Sequence, residues 1–172
     1  MHCTLNHTGI NFDHVIEFVL RHPAEIAKQI DYKRQETTGG GHTGGGSSNH
    51  SYVSDPTALQ AIRQVEPVHV IQVPYGATVA GKRESYTLHA PEKWLIVESA
   101  TRQHYLHSGN HTVVEIYRRR YQIGGEYGEP WRVSCAQLAI SRGYYYTVQR
   151  DIIRYAGLYA AGIGIIPPYS RF

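Results

Sequence analysis

The stretch LAISRGYYYTVQRDIIRY, residues 138–155, sets three consecutive tyrosines beside Arg142, Arg150 and Arg154. Guanidinium groups can fork onto a guanine edge or clamp a phosphate, and a phenol can pack on a thymine methyl or donate to phosphate. A second cationic group is the run Arg118-Arg119-Arg120. Three consecutive side chains spread over most of a helical turn, so at least one of them faces solvent or a partner. Such a run serves as a solvated face or as a phosphate contact, and the sequence leaves both open.

Other chemistries find less support. Of eleven histidines, the densest cluster is His2 and His7 with Cys3, and no His-x3-His or His-Glu-x-x-His pairing falls within one expected helix, since Gly109-Asn110 separates His107 from His111. No metal site is expected. The run TTGGGHTGGGSSNH, residues 37–50, lacks a Gly-Lys-Ser/Thr ending and a preceding strand, so it reads as a flexible tether and not a phosphate loop. No nucleophile with an evident base, no paired carboxylates and no cofactor loop stand out, so neither enzymatic activity nor a cofactor is expected.

Charge is unevenly distributed along the 172 residues. From Arg102 onward nine Lys/Arg face four Asp/Glu, a local +5, whereas residues 1–101 carry eight against ten, a local −2. The positive half holds both arginine groups, as an approach to phosphate requires. Cys3 and Cys135, the only two cysteines, form no disulfide framework, and no apolar run suffices to span a bilayer. A soluble chain in a reducing cytoplasm is the expectation.

These residues need positioning elements. Residues 11–32 carry Phe12, Val15, Ile16, Val19, Ile26 and Ile30 at helical spacing around Pro23, which predicts two short helices or one kinked one. Pro56 opens a short helix with Leu59, Ile62 and Val65 on its apolar side. Val68, Val70 and Val73 alternate toward a turn at Pro74-Tyr75-Gly76, and the chain resumes through Tyr86 and Leu88 as a small β-ribbon. Pro91 begins a helix with Trp94, Val97, Thr101 and Tyr105 on one side. Gly109-Asn110 ends it. His111–Ile123 follows with Val113, Val114, Ile116, Tyr117 and Tyr121 as its apolar side, up to Gly124-Gly125.

Pro130-Trp131 starts another helix, separated from the tyrosine-rich segment by Ser141-Arg142-Gly143. Two helices joined by so short a turn form a helix-turn-helix, whose second helix enters the major groove. Cys135 is small enough to let the helices approach, Leu138 and Ile140 supply apolar contact at the turn, and Ser141 can cap the second helix. At 100° per residue, Tyr145, Val148, Ile152 and roughly Gln149 face inward. Gly143, Thr147, Arg150 and Arg154 face outward, Tyr144 and Tyr146 flank them, and Arg142 stands at the entrance. The expected fold is mainly α, with an N-terminal helical arm (1–36), a flexible Gly/Ser linker (37–54), a short helix and β-ribbon (55–90) and a helix-turn-helix DNA-binding domain (91–172).

The chain also resembles the RinA/ArpU-type phage transcriptional regulators, whose C-terminal part is similar to the promoter-reading helix-turn-helix of sigma factors. The resemblance lies in QIDYKRQET, the Gly-rich run followed by SDPTALQAI, PEKWLIVES, YRRRY, and Trp131 ten residues before Ser141 with Tyr146 and Arg150-Asp151-Ile152 beyond. It implies a sequence-specific activator of phage or prophage late genes, acting on double-stranded promoter DNA with host RNA polymerase in the bacterial cytoplasm. Two departures bear on the contacts more than on the fold: Ser134 where an aliphatic residue is usual, and Gly143-Tyr144-Tyr145 ahead of the recognition helix. Arg142, Gly143, Tyr144, Tyr146, Thr147, Arg150 and Arg154 are then expected in the major groove, and Arg118, Arg119 and Arg120 on backbone phosphates. The N-terminal arm would form a homodimer or dock on the polymerase. Rival readings are a small-terminase-like packaging component and a protein-interaction module that inhibits a host system.

Overall fold

The computed structural model describes residues 12–39, 67–79, 82–123 and 128–167. These are mostly helical, with one small antiparallel ribbon in the middle of the chain, as expected. The His2/Cys3/His7 cluster, the linker from residue 40 onward, the helix expected after Pro56 and Gly124-Gly125 lie outside the described residues. By its internal contacts the chain divides into two units, Met1–Pro23 with Lys93–Phe172, and Ala24–Glu92.

In the first unit, α1 (Phe12–Arg21) buries Val15, Ile16, Val19 and Leu20. This narrow apolar stripe needs a partner, and α1 packs against the long C-terminal helix. Part of the expected N-terminal arm thus shares a unit with the C-terminal helices. His22 separates α1 from α2 (Pro23–Gly39), so the two-helix alternative at Pro23 is the one observed. The second helix runs on to Gly39, past the expected start of the linker at residue 37.

In the second unit, β1 (Val70–Val79) pairs with β2 (Lys82–His89). The ribbon does not turn at Pro74-Tyr75-Gly76. Pro74 pairs with Ser85 and Tyr75 with Glu84, and the strands continue to Val79 and Lys82. In a two-stranded ribbon every strand has a free edge, so a proline lacking its N–H is tolerated there. Gly76, at φ 74°, sits in the irregular stretch between Tyr75 and Val79. The buried side of the ribbon is Ile71, Val73 and Leu88, whereas Val70 is exposed, so the inward phase is the odd one in β1. Ala90 N–H closes the ribbon onto the His69 carbonyl at 2.8 Å. Glu92 then ties the unit together: its carboxylate accepts from Arg34 at 2.8 Å and from the Val68 amide at 3.2 Å.

The remaining helices complete the first unit. On α3 (Pro91–Leu106), Trp94, Val97, Thr101 and Tyr105 are all buried, the stripe read from their spacing. Asn110 caps α4 (His111–Tyr117), its Oδ1 accepting from the amides of Thr112 and Val113. The helix then widens into a π turn, Arg118–Gln122, closed by Ile123 N–H to the Arg118 carbonyl at 2.8 Å. Val114, Ile116, Tyr117 and Tyr121 are buried, and Val113 half-buried.

Next come α5 (Trp131–Leu138) and α6 (Arg142–Gly162), the latter about 30 Å long at 1.5 Å per residue. Both α1 and α4 pack on α6, as does α5. Tyrosines fill much of this core. Tyr105 stacks on Tyr117 and meets Tyr155 edge-on, each with centroids 5.8 Å apart, and Tyr117 leans on Tyr121 at 5.3 Å. Burial, with smaller contributions from Asp151 and Tyr155, pushes the Tyr105 hydroxyl up to about 12, so its ring stays neutral.

The connection between α5 and α6 is Ala139, Ile140 and Ser141, two residues earlier than expected, so Arg142 and Gly143 lie in the first turn of α6. Ala139 takes the left-handed conformation at φ 51°, and Ile140 N–H reaches back to the Cys135 carbonyl at 3.1 Å in a Schellman closure. A Cβ in this region costs roughly 1–2 kcal/mol relative to the right-handed region. Ala139→Gly is therefore expected to stabilise the chain by about 1 kcal/mol, a rise of roughly 2–4 °C in Tm by thermal unfolding.

Candidate nucleic-acid interface

Ser141 caps α6 as expected, its Oγ accepting from the Tyr144 amide at 3.1 Å. Beyond it the helix turns Tyr145, Val148 and Ile152 inward, and all three are buried. The inner stripe continues through Ala156, Gly157 and Ala160, small residues that let neighbouring elements come close. Gln149 is half-buried at the edge of this face. On the other side Arg142, Gly143, Tyr144, Thr147, Arg150 and Arg154 are exposed and Tyr146 is half-buried, which is the facing read from sequence. One tyrosine of the three belongs to the core. Thr147 Oγ1 donates to the Gly143 carbonyl at 3.0 Å and accepts from Arg150 at 3.4 Å, which draws the Arg150 side chain along the helix surface.

The arginine run behaves differently from expectation. Arg118 is half-exposed and pairs with Glu115 at 3.1 Å. Arg119 is mostly buried, paired to Glu129 at 2.9 Å and bonded to Gln137 Oε1. Arg120 is buried to a similar degree and pairs with Glu17. All three were expected on backbone phosphates; in the structure the π turn aims the guanidiniums of Arg119 and Arg120 at Glu129 and Glu17. Only Arg118 still presents charge outward.

Two carboxylates organise the scaffold behind α6. Glu17 on α1 accepts from Arg21 at 2.7 Å, from Arg120 of the π turn and from Gln149 Nε2 of α6 at 3.0 Å. Burial alone would raise its pKa, but Arg21 and Arg120 outweigh that and hold the carboxyl below its ordinary value near 4.5. Glu129 accepts from Ser134 Oγ at 2.7 Å and from Arg119, and these bonds lower its pKa too. Cys135, half-buried, lies near Tyr145 of α6, whereas Ser134 is fully buried. The Ser134 hydroxyl finds its partner in the Glu129 carboxylate. Gly128 makes this possible. It sits at φ 68°, and a methyl group there would run into the Arg120 carbonyl oxygen, while the next amide, Glu129 N–H, bonds the Arg119 carbonyl at 2.9 Å.

Sequence reasoning missed Glu17, Glu129 and the role of Trp131. Apart from its place in the resemblance, Trp131 was legible only as a helix start, yet it carries the Arg142 guanidinium at 4.9 Å and that of Arg132 at 5.4 Å from its ring centroid. Tyr146 holds Arg142 from a second side at 5.4 Å. Arg142 and Tyr146 follow Trp131 by eleven and fifteen residues, separations that no local periodicity links.

Two outcomes follow for the scaffold. Glu17→Gln is expected to cost about 2 kcal/mol in urea unfolding at neutral pH, because two guanidiniums lose their counter-charge. Since the folded carboxyl titrates below its unfolded value, its contribution is complete above about pH 4.5 and disappears as pH falls through the folded value. The native chain and the Glu17→Gln variant should accordingly converge in acid. Gly128→Ala should destabilise by roughly 2–4 kcal/mol, from the left-handed backbone and the collision together, as read by chemical denaturation.

Compared with known protein families, with curated proteins and with solved structures, the chain matches none.

Proposed function

We propose that this protein is a sequence-specific double-stranded DNA binder that inserts the first half of α6 into the major groove and regulates transcription. The observation that carries the reading is the outward face of α6 behind a short, capped turn. Arg142, Tyr144, Thr147 and Arg150 are exposed there, Tyr146 is half-exposed beside them, and neither Arg142 nor Arg150 is ion-paired among the described residues. A guanidinium without a carboxylate partner keeps its charge and most of its donors for a ligand, and a 21-residue helix whose opposite face is buried presents them rigidly. The resemblance to RinA/ArpU-type regulators extends the proposal to late-gene promoters and to host RNA polymerase as the partner.

Selection from random duplexes is expected to enrich one motif. Against that motif, Arg150→Ala should weaken binding by roughly 1–3 kcal/mol and relax the preference at one base pair. Affinity of the native chain should fall steeply as salt rises, because each phosphate contact releases condensed counterions. Unselective enrichment, or a folded Arg150→Ala variant with native affinity, would overturn the reading of the helix face.

A further inference from the structure

We propose that Trp131, Arg132 and Arg142 form a phosphate-gripping site at the junction of α5 and α6, in which the indole holds two guanidiniums for the nucleic-acid backbone. The inference rests on the DNA-binding reading and adds two residues to it, Trp131 and Arg132, together with a division of labour. Arg150 reads bases; the aromatic bracket holds the strand.

Arg21, Arg102, Arg118, Arg119 and Arg120 each pair with a glutamate. Arg132 and Arg142 pair with no carboxylate among the described residues, and both are exposed. Each instead lies over the same indole, at 5.4 and 4.9 Å, and Arg142 also lies over the Tyr146 ring. Two like charges gathered around one ring repel each other. The ring's quadrupole offsets that with about 0.5–1 kcal/mol per contact at an exposed site, and it supplies no counter-charge. An anion bound between the cations would.

The aromatic bracket also restrains two long side chains that would otherwise sample many rotamers, so less entropy is lost when a phosphate arrives. Trp131 and Tyr146, with centroids 6.1 Å apart, come from different helices of the pair. The bracket therefore ties the charge pair to the helix-turn-helix geometry and not to one helix alone. Trp131 is half-buried and Trp94 is buried at 3 % exposure, so of the two tryptophans the one in the bracket is the one a ligand can reach. The residue class recognised is a backbone phosphate, which carries no base identity.

The test uses the full chain and a labelled duplex bearing the selected motif, or a random-sequence duplex if none is enriched, with affinity measured across a salt series. Arg132→Ala and Arg142→Ala are each expected to make the slope of log K against log salt shallower by about 0.9 and to weaken low-salt binding by about tenfold. Trp131→Leu keeps both charges but releases them, and should lose roughly 3- to 10-fold in affinity, whereas Trp131→Phe, which keeps an aromatic face, should stay within about twofold of native. Arginine variants with the native slope would overturn the site while leaving the DNA-binding reading standing. Native affinity in Trp131→Leu would overturn the positioning role of the indole. Failure of the native chain to bind any duplex would instead sink the DNA-binding reading itself. Melting by circular dichroism checks folding, and if Trp131→Leu proves unfolded the exposed arginine variants and Trp131→Phe still decide the matter.

Discussion

The carboxylate of Glu17 is the point at which three parts of the first unit meet. It draws Arg21 of its own helix, Arg120 of the π turn and Gln149 of α6 onto one group of atoms. Hydrophobic burial holds α1 against α6 without fixing how far either slides or rolls, because apolar contact is nondirectional. A carboxylate with three donors removes that freedom. Gln149 lies next to Arg150, so the same contact that locks α1 also sets the rotation at which α6 offers its outer face. Desolvating the carboxylate is costly, and the two guanidiniums offset the cost with direct hydrogen bonds.

A second network repeats the logic one step along the chain. Arg119, Glu129 and Ser134 connect the π turn to α5, and Gly128 lets the backbone pass close enough to close the link. Together the two networks account for two of the three consecutive arginines, Arg119 and Arg120, by placing one guanidinium on each of two glutamates. Among the described residues Arg132, Arg142 and Arg150 have no glutamate partner, and the proposed DNA contact draws on these.

Much of this was legible in the sequence where a physical periodicity carries it. The buried stripe of α3, the inner face of α6 and the Ser141 cap all follow from spacing and side-chain chemistry over fewer than ten residues. The β-ribbon was legible in existence but not in extent, because Pro74 and Gly76 look like a turn when Pro74 is paired within the strand and Gly76 lies in an irregularity of it. The fate of Arg119 and Arg120 was illegible for a different reason. Glu115 is a local partner of Arg119 at 3.7 Å, but the partners that draw the two guanidiniums off the surface, Glu129 and Glu17, lie 10 and 103 residues away, beyond any local window. Trp131 posed the same difficulty, since its importance comes from side chains that arrive from the next helix.

The five-residue closure at Arg118–Gln122 has a consequence for how this segment tolerates change in length. A wide turn accommodates one residue more than ordinary α pitch would, so the chain beyond it is rotated by about 100° from where an uninterrupted helix would leave it. Deleting one residue inside this turn would take up that surplus and restore regular winding, with the helix before it and the chain after it still in phase. A single-codon deletion is therefore better absorbed here than in the regular part of α4, where it would turn everything downstream by about 100°.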